Sequence, residues 1–332
     1  MRPAVVGGCF EVCSVKPLVD CQVRFFDPVA VEFAENLRHI HFCTLHRALQ
    51  FCNLRGASCR GTRHKHVMIQ KNLPAAEYHA DKTRISKHGL DLIHRAPACY
   101  KHALMAPHEE SPALRIGTLV HMAVLEPVSY LTETAIIPDG IDRRTKEGKA
   151  AWAEFQAQNP GKLHISETEN ALCLNVVEAI HKSDGNDLIK SAITQNQVEV
   201  TLHSDVAGVP AKARLDGWAM RTLFDVKTAR NASFRAFRWA AIDYRYHVQA
   251  AWYLDFVREV GIEANDFVFI VVETEPPYLS TVYVADDQFV AAGRAEYKRD
   301  LETYKRCVES DTWPGLPKSQ TITLPSWMEV TK

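Results

Sequence analysis

The sequence predicts one α/β or α+β domain, a small mixed sheet flanked by helices, and three observations carry that reading. Helical patterns come first, then a block of alternating strand patterns, a long helical stretch, two short strands and a last helix. The 332 residues, 46% hydrophobic and 24% charged, suit a globular chain with a sizeable core. No G-x-G-x-x-G or Walker lysine loop follows any strand pattern, which argues against a doubly wound nucleotide fold.

The elements follow in order. Residues 84–102 read as a helix entered through Ser86, with Leu90, Leu92 and Ile93 apolar and Pro97 near its end. Residues 113–126 are apolar nearly all round, as a buried helix is, and Pro127 closes them. Residues 143–158 are polar and alanine-rich, a surface helix stopped by Asn159-Pro160-Gly161. Residues 166–192 are helical, with a break near Asp184-Gly185-Asn186. Strand signals occupy 197–203, where Val198, Val200 and Leu202 alternate, and continue over 209–218 and 222–228. Residues 233–260 are helical, 266–273 form a short apolar run typical of a buried strand, and 279–285 form another strand. Residues 286–310 make a long amphipathic helix. There is no internal repeat and no low-complexity tract.

Composition divides the chain. Residues 1–67 carry nine basic and five acidic residues and six of the nine cysteines: Cys9, Cys13, Cys21, Cys43, Cys52 and Cys59. The rest is net acidic and holds only Cys99, Cys173 and Cys307. Residues 1–67 read as a poorly ordered extension, and Met68 opens a stretch that resembles an ordinary protein start, as if the reading frame had been over-extended upstream. A zinc module is the alternative, because His39, His41, Cys43, His46, Cys52, Cys59, His64 and His66 crowd together. Their spacing lacks the paired C-x2-C pattern of zinc sites. The expected organisation is 1–67 extension, 68–325 domain and 326–332 tail. No basic start and apolar run mark a secretory leader, and no run reaches the length that spans a membrane, so a cytoplasmic protein is expected. A formal net charge of −1 excludes a polycation that coats nucleic acid.

The chemistry concentrates in the strand block. Alternate side chains of a strand share a face, so Lys212, Arg214 and Asp216 point one way while Ala211, Ala213 and Leu215 enter the core. On the next strand Leu223, Asp225 and Lys227 share a face. A tight turn near Met220-Arg221 would set Asp216 opposite Asp225, although that turn lacks Gly or Asn. Two carboxylates and a lysine would then converge. Paired carboxylates hold hard cations such as Mg²⁺, which activate water and neutralise charge on a phosphate. A solvated hairpin also accounts for these charges. His121, four residues after Gly117, also reads as a satisfied core histidine, and Gln249 and Tyr253 as a helix edge.

In order, Gly117-x-x-x-His121, Asp216, Asp225-x-Lys227 and Gln249-x-x-x-Tyr253 resemble the motif set of the RecB-like branch of PD-(D/E)XK nucleases, which have a restriction-endonuclease-like core. More narrowly, "FDVKTA" with "DYRYHVQAAWY" is similar to the RecE-type exonucleases, the exonuclease VIII nuclease domain, over about residues 68–325. The resemblance implies a Mg²⁺-dependent 5′→3′ exonuclease acting on ends of double-stranded DNA, with Mn²⁺ substituting. It implies His121, Asp216, Asp225 and the Val226 carbonyl as metal ligands, and Lys227 as the group that positions water. Gln249 and Tyr253 would hold the active-site helix and the substrate strand. It also implies a ring-like homo-oligomer, a RecT-type annealing partner, a role in recombination and a phage or prophage origin. Lys212, Arg214, Arg230 and Arg245, with Arg235 and Arg238, are the basic groups placed to meet DNA. Leu215 stands where many family members have Pro, and the connection from Asp216 to Asp225 is short. An iron–sulfur branch needs a C-terminal cysteine cluster, and only Cys307 is available there. A catalytically inactive DNA-end-binding or phage structural protein on the same fold is the alternative.

Overall fold

The computed structural model describes residues 67–106 and 111–324. The zinc and extension readings of residues 1–66 lie outside the described residues.

The chain enters through β1 (Met68–Gln70) and the short helix α1 (Ala75–Ala80). The helix expected over 84–102 is two helices, α2 (Lys87–Arg95) and α3 (Pro97–Met105). Ser86 caps α2, its Oγ accepting from the Gly89 N–H, and Pro97 then takes the first position of a new helix. The same device recurs after α4 (Pro112–Leu125): Pro127 opens α5 (Pro127–Glu133). A two-stranded parallel ribbon, β2 (Thr134–Ile136) with β3 (Leu163–Ile165), brackets α6 (Lys146–Gln158). Its strands are too short to show a period in sequence. Helix α7 (Glu167–His181) starts with a Ser166–Glu169 capping box, and α8 (Asn186–Thr194) follows the expected break.

The main sheet contains β4 (Val198–Val206), β5 (Val209–Ala219), β6 (Thr222–Ala229), β7 (Asp266–Glu273) and β8 (Ser280–Val284), with β1 on one edge. Its order is β1-β4-β5-β6-β7-β8. All neighbours are antiparallel except β6 and β7. The crossover between those two carries α9 (Phe234–Asp243) and α10 (Tyr246–Glu259), and α11 (Asp287–Ser310) closes the domain. The helical stretch read over 233–260 is therefore two helices, broken at Arg245, whose φ is 55°. Nothing in Tyr-Arg-Tyr announces a left-handed residue, which is uncommon outside Gly, Asn and Asp.

Helices cover both faces of the sheet. Leu223, Phe267, Phe269 and Val271 pack with residues of α2, α3, α9, α10 and α11. Phe224, Val226, Val268, Ile270 and Val272 pack with α4, α5, α7 and α8. Strand β7 is thus buried on both sides, which is why "DFVFIVVE" is an unbroken apolar run rather than an alternation. Among the described residues, no helix is long and apolar enough to cross a membrane.

Candidate active site

Two tight turns fix the site. Met220 and Arg221 have φ of 49° and 66°, the positive values that two-residue hairpins favour, and they pair Gly217 with Phe224. That register sets Asp216 opposite Asp225, as the sequence reading expected. The ladder stops there: the Asp216 Oδ2 accepts from the Val226 N–H at 2.7 Å in place of strand pairing. The second turn, Ala207-Gly208, also has positive φ at both positions and joins β4 to β5. Its register, Val200 to Leu215 and Val198 to Gly217, brackets Glu199 opposite Asp216. Glu199 itself has a φ of 50° and interrupts the alternation. Val200 packs on the α10 side of the sheet and Val198 on the α4 side.

The interruption aims the Glu199 carboxylate at α4. There the His121 Nδ1 lies 3.4 Å from the Asp216 Oδ2 and 3.9 Å from the Glu199 Oε1, while its Nε2 meets the Val226 carbonyl oxygen at 2.9 Å. His121, Glu199 and Asp216 each offer a ligand atom, all within 4.8 Å of one another. Around an octahedral Mg²⁺ or Mn²⁺, ligand atoms at about 2.1 Å from the ion stand about 3.0–4.2 Å apart, so this donor set fits a divalent cation. Sequence reasoning missed Glu199. Arg214, expected to face DNA, holds Glu199 instead: its Nε is 2.6 Å from the Glu199 Oε2 and its guanidinium also donates to the Leu73 carbonyl at 2.8 Å.

Asp225 and Lys227 face the other way, toward α10. The Lys227 Nζ is 2.5 Å from the Asp225 Oδ2, and Gln249 donates its amide to the Asp225 Oδ1. Asp225 lies outside the three-residue donor cluster and is held by Lys227 and Gln249. Its charge still reaches Asp216, so the two carboxylates form one electrostatic unit. Tyr253, one turn after Gln249, is half-buried and feels the charges of both.

The electrostatics follow from this crowding. Burial and the neighbouring Asp225 charge push the Asp216 carboxyl well above the usual carboxylate range. Burial disfavours the His121 imidazolium, but Asp216 and Glu199 outweigh it and raise the group to about 9. Burial likewise opposes the Lys227 ammonium, and Asp225 more than restores it, so its pKa is raised. Burial raises the Tyr253 phenol well above its ordinary value, and the carboxylates add to the shift.

Two more of the expected DNA contacts, besides Arg214, are placed otherwise. Lys212 is 5% exposed, and its ammonium donates to the Tyr78 carbonyl and, at 2.7 Å, to the Asp81 carbonyl. Arg245 is 8% exposed and bridges Asp91, Glu296 and Asp300. Both are interior struts, and residue type alone could not say which way they point. Arg230, Arg235 and Arg238 are exposed, with no carboxylate partner among the described residues.

A split hairpin carrying Asp216 and Asp-x-Lys, with a histidine from a buried helix and a glutamine from the crossover helix, defines a PD-(D/E)XK nuclease-like site. The profile of the family described as "PDDEXK-like domain of unknown function (DUF3799)" matches residues 93–321, and the chain belongs to that family. A crystal structure of a provisionally named exonuclease from Eubacterium rectale has the same fold, with a TM-score of 0.50 and 14% identity. The match covers 77% of this chain and 96% of that one. At that identity the likeness speaks to the fold alone. No curated protein matches the sequence.

Proposed function

We propose that the protein is a metal-dependent exodeoxyribonuclease that hydrolyses linear double-stranded DNA from its ends. The observation that carries this reading is the convergence of His121, Glu199 and Asp216 on one side of the split hairpin with the Asp225–Lys227 pair on the other. Mg²⁺, or Mn²⁺ in its place, held by His121, Glu199 and Asp216 with the Val226 carbonyl beside them, would supply charge neutralisation at a phosphodiester and a more acidic water. Lys227 is kept cationic by Asp225 and orients the attacking water or offsets charge gathering on the phosphoryl oxygens. Water adds to phosphorus, the P–O bond to the leaving nucleotide breaks, and the departing oxygen takes a proton. Gln249 fixes Asp225, and through it Lys227, while Tyr253 remains a neutral donor beside the carboxylates.

The 5′→3′ polarity, the RecE-type assignment, assembly as a homo-oligomer, a RecT-type annealing partner, a recombination role, phage or prophage origin and a cytoplasmic setting are proposed on the motif resemblance. The competing reading, an inactive DNA-end-binding or phage structural protein, is disfavoured because the full charged constellation is retained. The test compares a linear duplex labelled at either 5′ or 3′ end with a covalently closed circle, in Mg²⁺. Stepwise loss of the linear form with the circle intact is expected. Rapid cutting of the circle would replace the exonuclease with an endonuclease on this fold.

A further inference from the structure

Helix α9 presents a surface that takes no part in the metal and lysine cluster. Phe237 and Ala241 point into the core, as an amphipathic helix requires. The exposed arc that adjoins this stripe is not the usual solvated mixture of Lys and Glu. It carries Phe234, Arg235, Arg238, Trp239 and Ile242, which fall within an arc of about 140° at 100° per residue. Phe234 is 64% exposed, Trp239 50% and Ile242 49%, and Tyr244 just beyond the helix is 65% exposed. Large aromatic side chains left out together on one helix face are unusual for a soluble surface and mark a contact.

The chemistry of that contact is legible. The Arg238 guanidinium sits over the rings of both Phe234 and Trp239, at 5.9 and 5.7 Å from their centroids. Arg230, Arg235 and Arg238 have no carboxylate partner among the described residues, and Asp243 is the one acid of α9, at the margin of the arc. Flat π surfaces interleaved with free cations suit a polyanion with stackable bases. The face is also continuous with the catalytic residues. The Lys227 ammonium lies 4.7 Å from the Tyr246 ring centroid, and Tyr246 stacks on Tyr244 at 5.8 Å. Lys87 holds the Tyr244 carbonyl at 2.8 Å, which fixes where this aromatic step stands. From Lys227 the aromatic path therefore leads through Tyr246 and Tyr244 onto α9.

We propose that the exposed face of α9, with Tyr244, is a stacking platform for the unpaired bases of a DNA strand beside the active site. The inference depends on the nuclease reading for its substrate and adds to it the single-stranded character of the DNA held next to the scissile bond. Bases stack on Tyr244, Trp239 and Phe234, while Arg230, Arg235 and Arg238 follow the phosphates. The ten residues of α9 span about 15 Å, room for a run of several stacked bases.

The test uses the full chain in EDTA, so that binding is read without hydrolysis. Fluorescence anisotropy with a labelled oligothymidylate of about 20 nucleotides compares the parent, a Phe234→Ala/Trp239→Ala double variant and Trp239→Phe. Thermal unfolding checks that these surface changes leave the fold intact. The double variant should bind the oligothymidylate at least about tenfold more weakly, Trp239→Phe should keep most of the affinity, and binding of a blunt hairpin duplex should change little. Equal oligothymidylate affinity in parent and double variant would overturn the proposal. So would a parent that fails to bind the oligothymidylate, or an assembly seen by sedimentation that the double variant dissolves, because the face would then belong to a second copy. Hydrolysis of linear duplex by the parent in Mg²⁺ is measured separately. A parent that cleaves while its double variant still grips the single strand loses only this inference, and a parent that never cleaves loses the nuclease reading itself.

Discussion

Asp216 and Asp225 stand across one hairpin but meet different neighbours, and that difference sets what each substitution does. Asp225→Asn keeps the volume and a hydrogen bond to Gln249 while removing the charge that keeps Lys227 cationic. Hydrolysis should fall by at least about a hundredfold with the circular dichroism spectrum unchanged. Lys227→Ala should lose most turnover while cation binding is largely kept, and unchanged turnover would make Lys227 a surface charge. Glu199→Gln should weaken Mn²⁺ binding by about tenfold or more, read by titration calorimetry, because it leaves a neutral oxygen in place of one of the charged donors. The pH dependence has a definite sign. With His121 at about 9, its imidazole carries a proton at neutral pH, and a cation must displace that proton to use the nitrogen. Apparent Mn²⁺ affinity should therefore rise as pH goes from about 6 to 9, with protons released into the buffer. Calorimetry in buffers of different ionisation enthalpy reads this directly, and a flat profile would remove His121 from the donor set. His121, Asp216, Asp225, Lys227 and Gln249 were legible because their spacing matches a motif set. Glu199 belongs to no such set. Its signal was the Ala207-Gly208 turn, whose two-residue register pairs position 199 with 216.

At the scale of elements, α10 must reach the sheet closely enough for Gln249 to hold Asp225, and α11 presses it there. Gly293 of α11 lies so close to α10 that a Cβ would stand 1.9 Å from the His247 carbonyl oxygen. Gly293→Ala should force the two helices apart, destabilise the domain by at least about 2 kcal/mol and depress turnover by loosening Gln249. Thermal unfolding beside an activity assay checks it, and an unchanged Tm would mean that the helix contact is not tight. Arg245 locks the same region by its charge network to Asp91, Glu296 and Asp300. Most helices and all strands longer than three residues could be read from period and caps. The helix breaks at 96 and 245 were harder. Pro97 reads either as a helix end or as the first residue of a new helix. Arg245 takes its left-handed backbone without a glycine, and three carboxylates, of which Asp300 is buried, gather on its side chain. The short ribbon of β2 and β3 had no period to detect.

At the scale of the whole molecule, the sheet gathers groups far apart in the chain. His121 comes from a helix on one face, Gln249 from a helix on the other, and the carboxylates and Lys227 come from the strands between them. Two like charges close together in a largely buried hairpin are costly unless a cation or a proton neutralises them. The protein meets that cost with Lys227, Arg214 and His121 and leaves a three-donor cluster suited to a divalent ion. DNA hydrolysis is the proposed role of this cluster. The most direct measurement follows acid-soluble nucleotide release from end-labelled linear duplex by the full chain, with Mg²⁺, with Mn²⁺ and with EDTA, beside Asp225→Asn. Release with either metal, none in EDTA and at least about a hundredfold less in the variant is the predicted result. No release with either metal, or equal release by parent and Asp225→Asn, would contradict it.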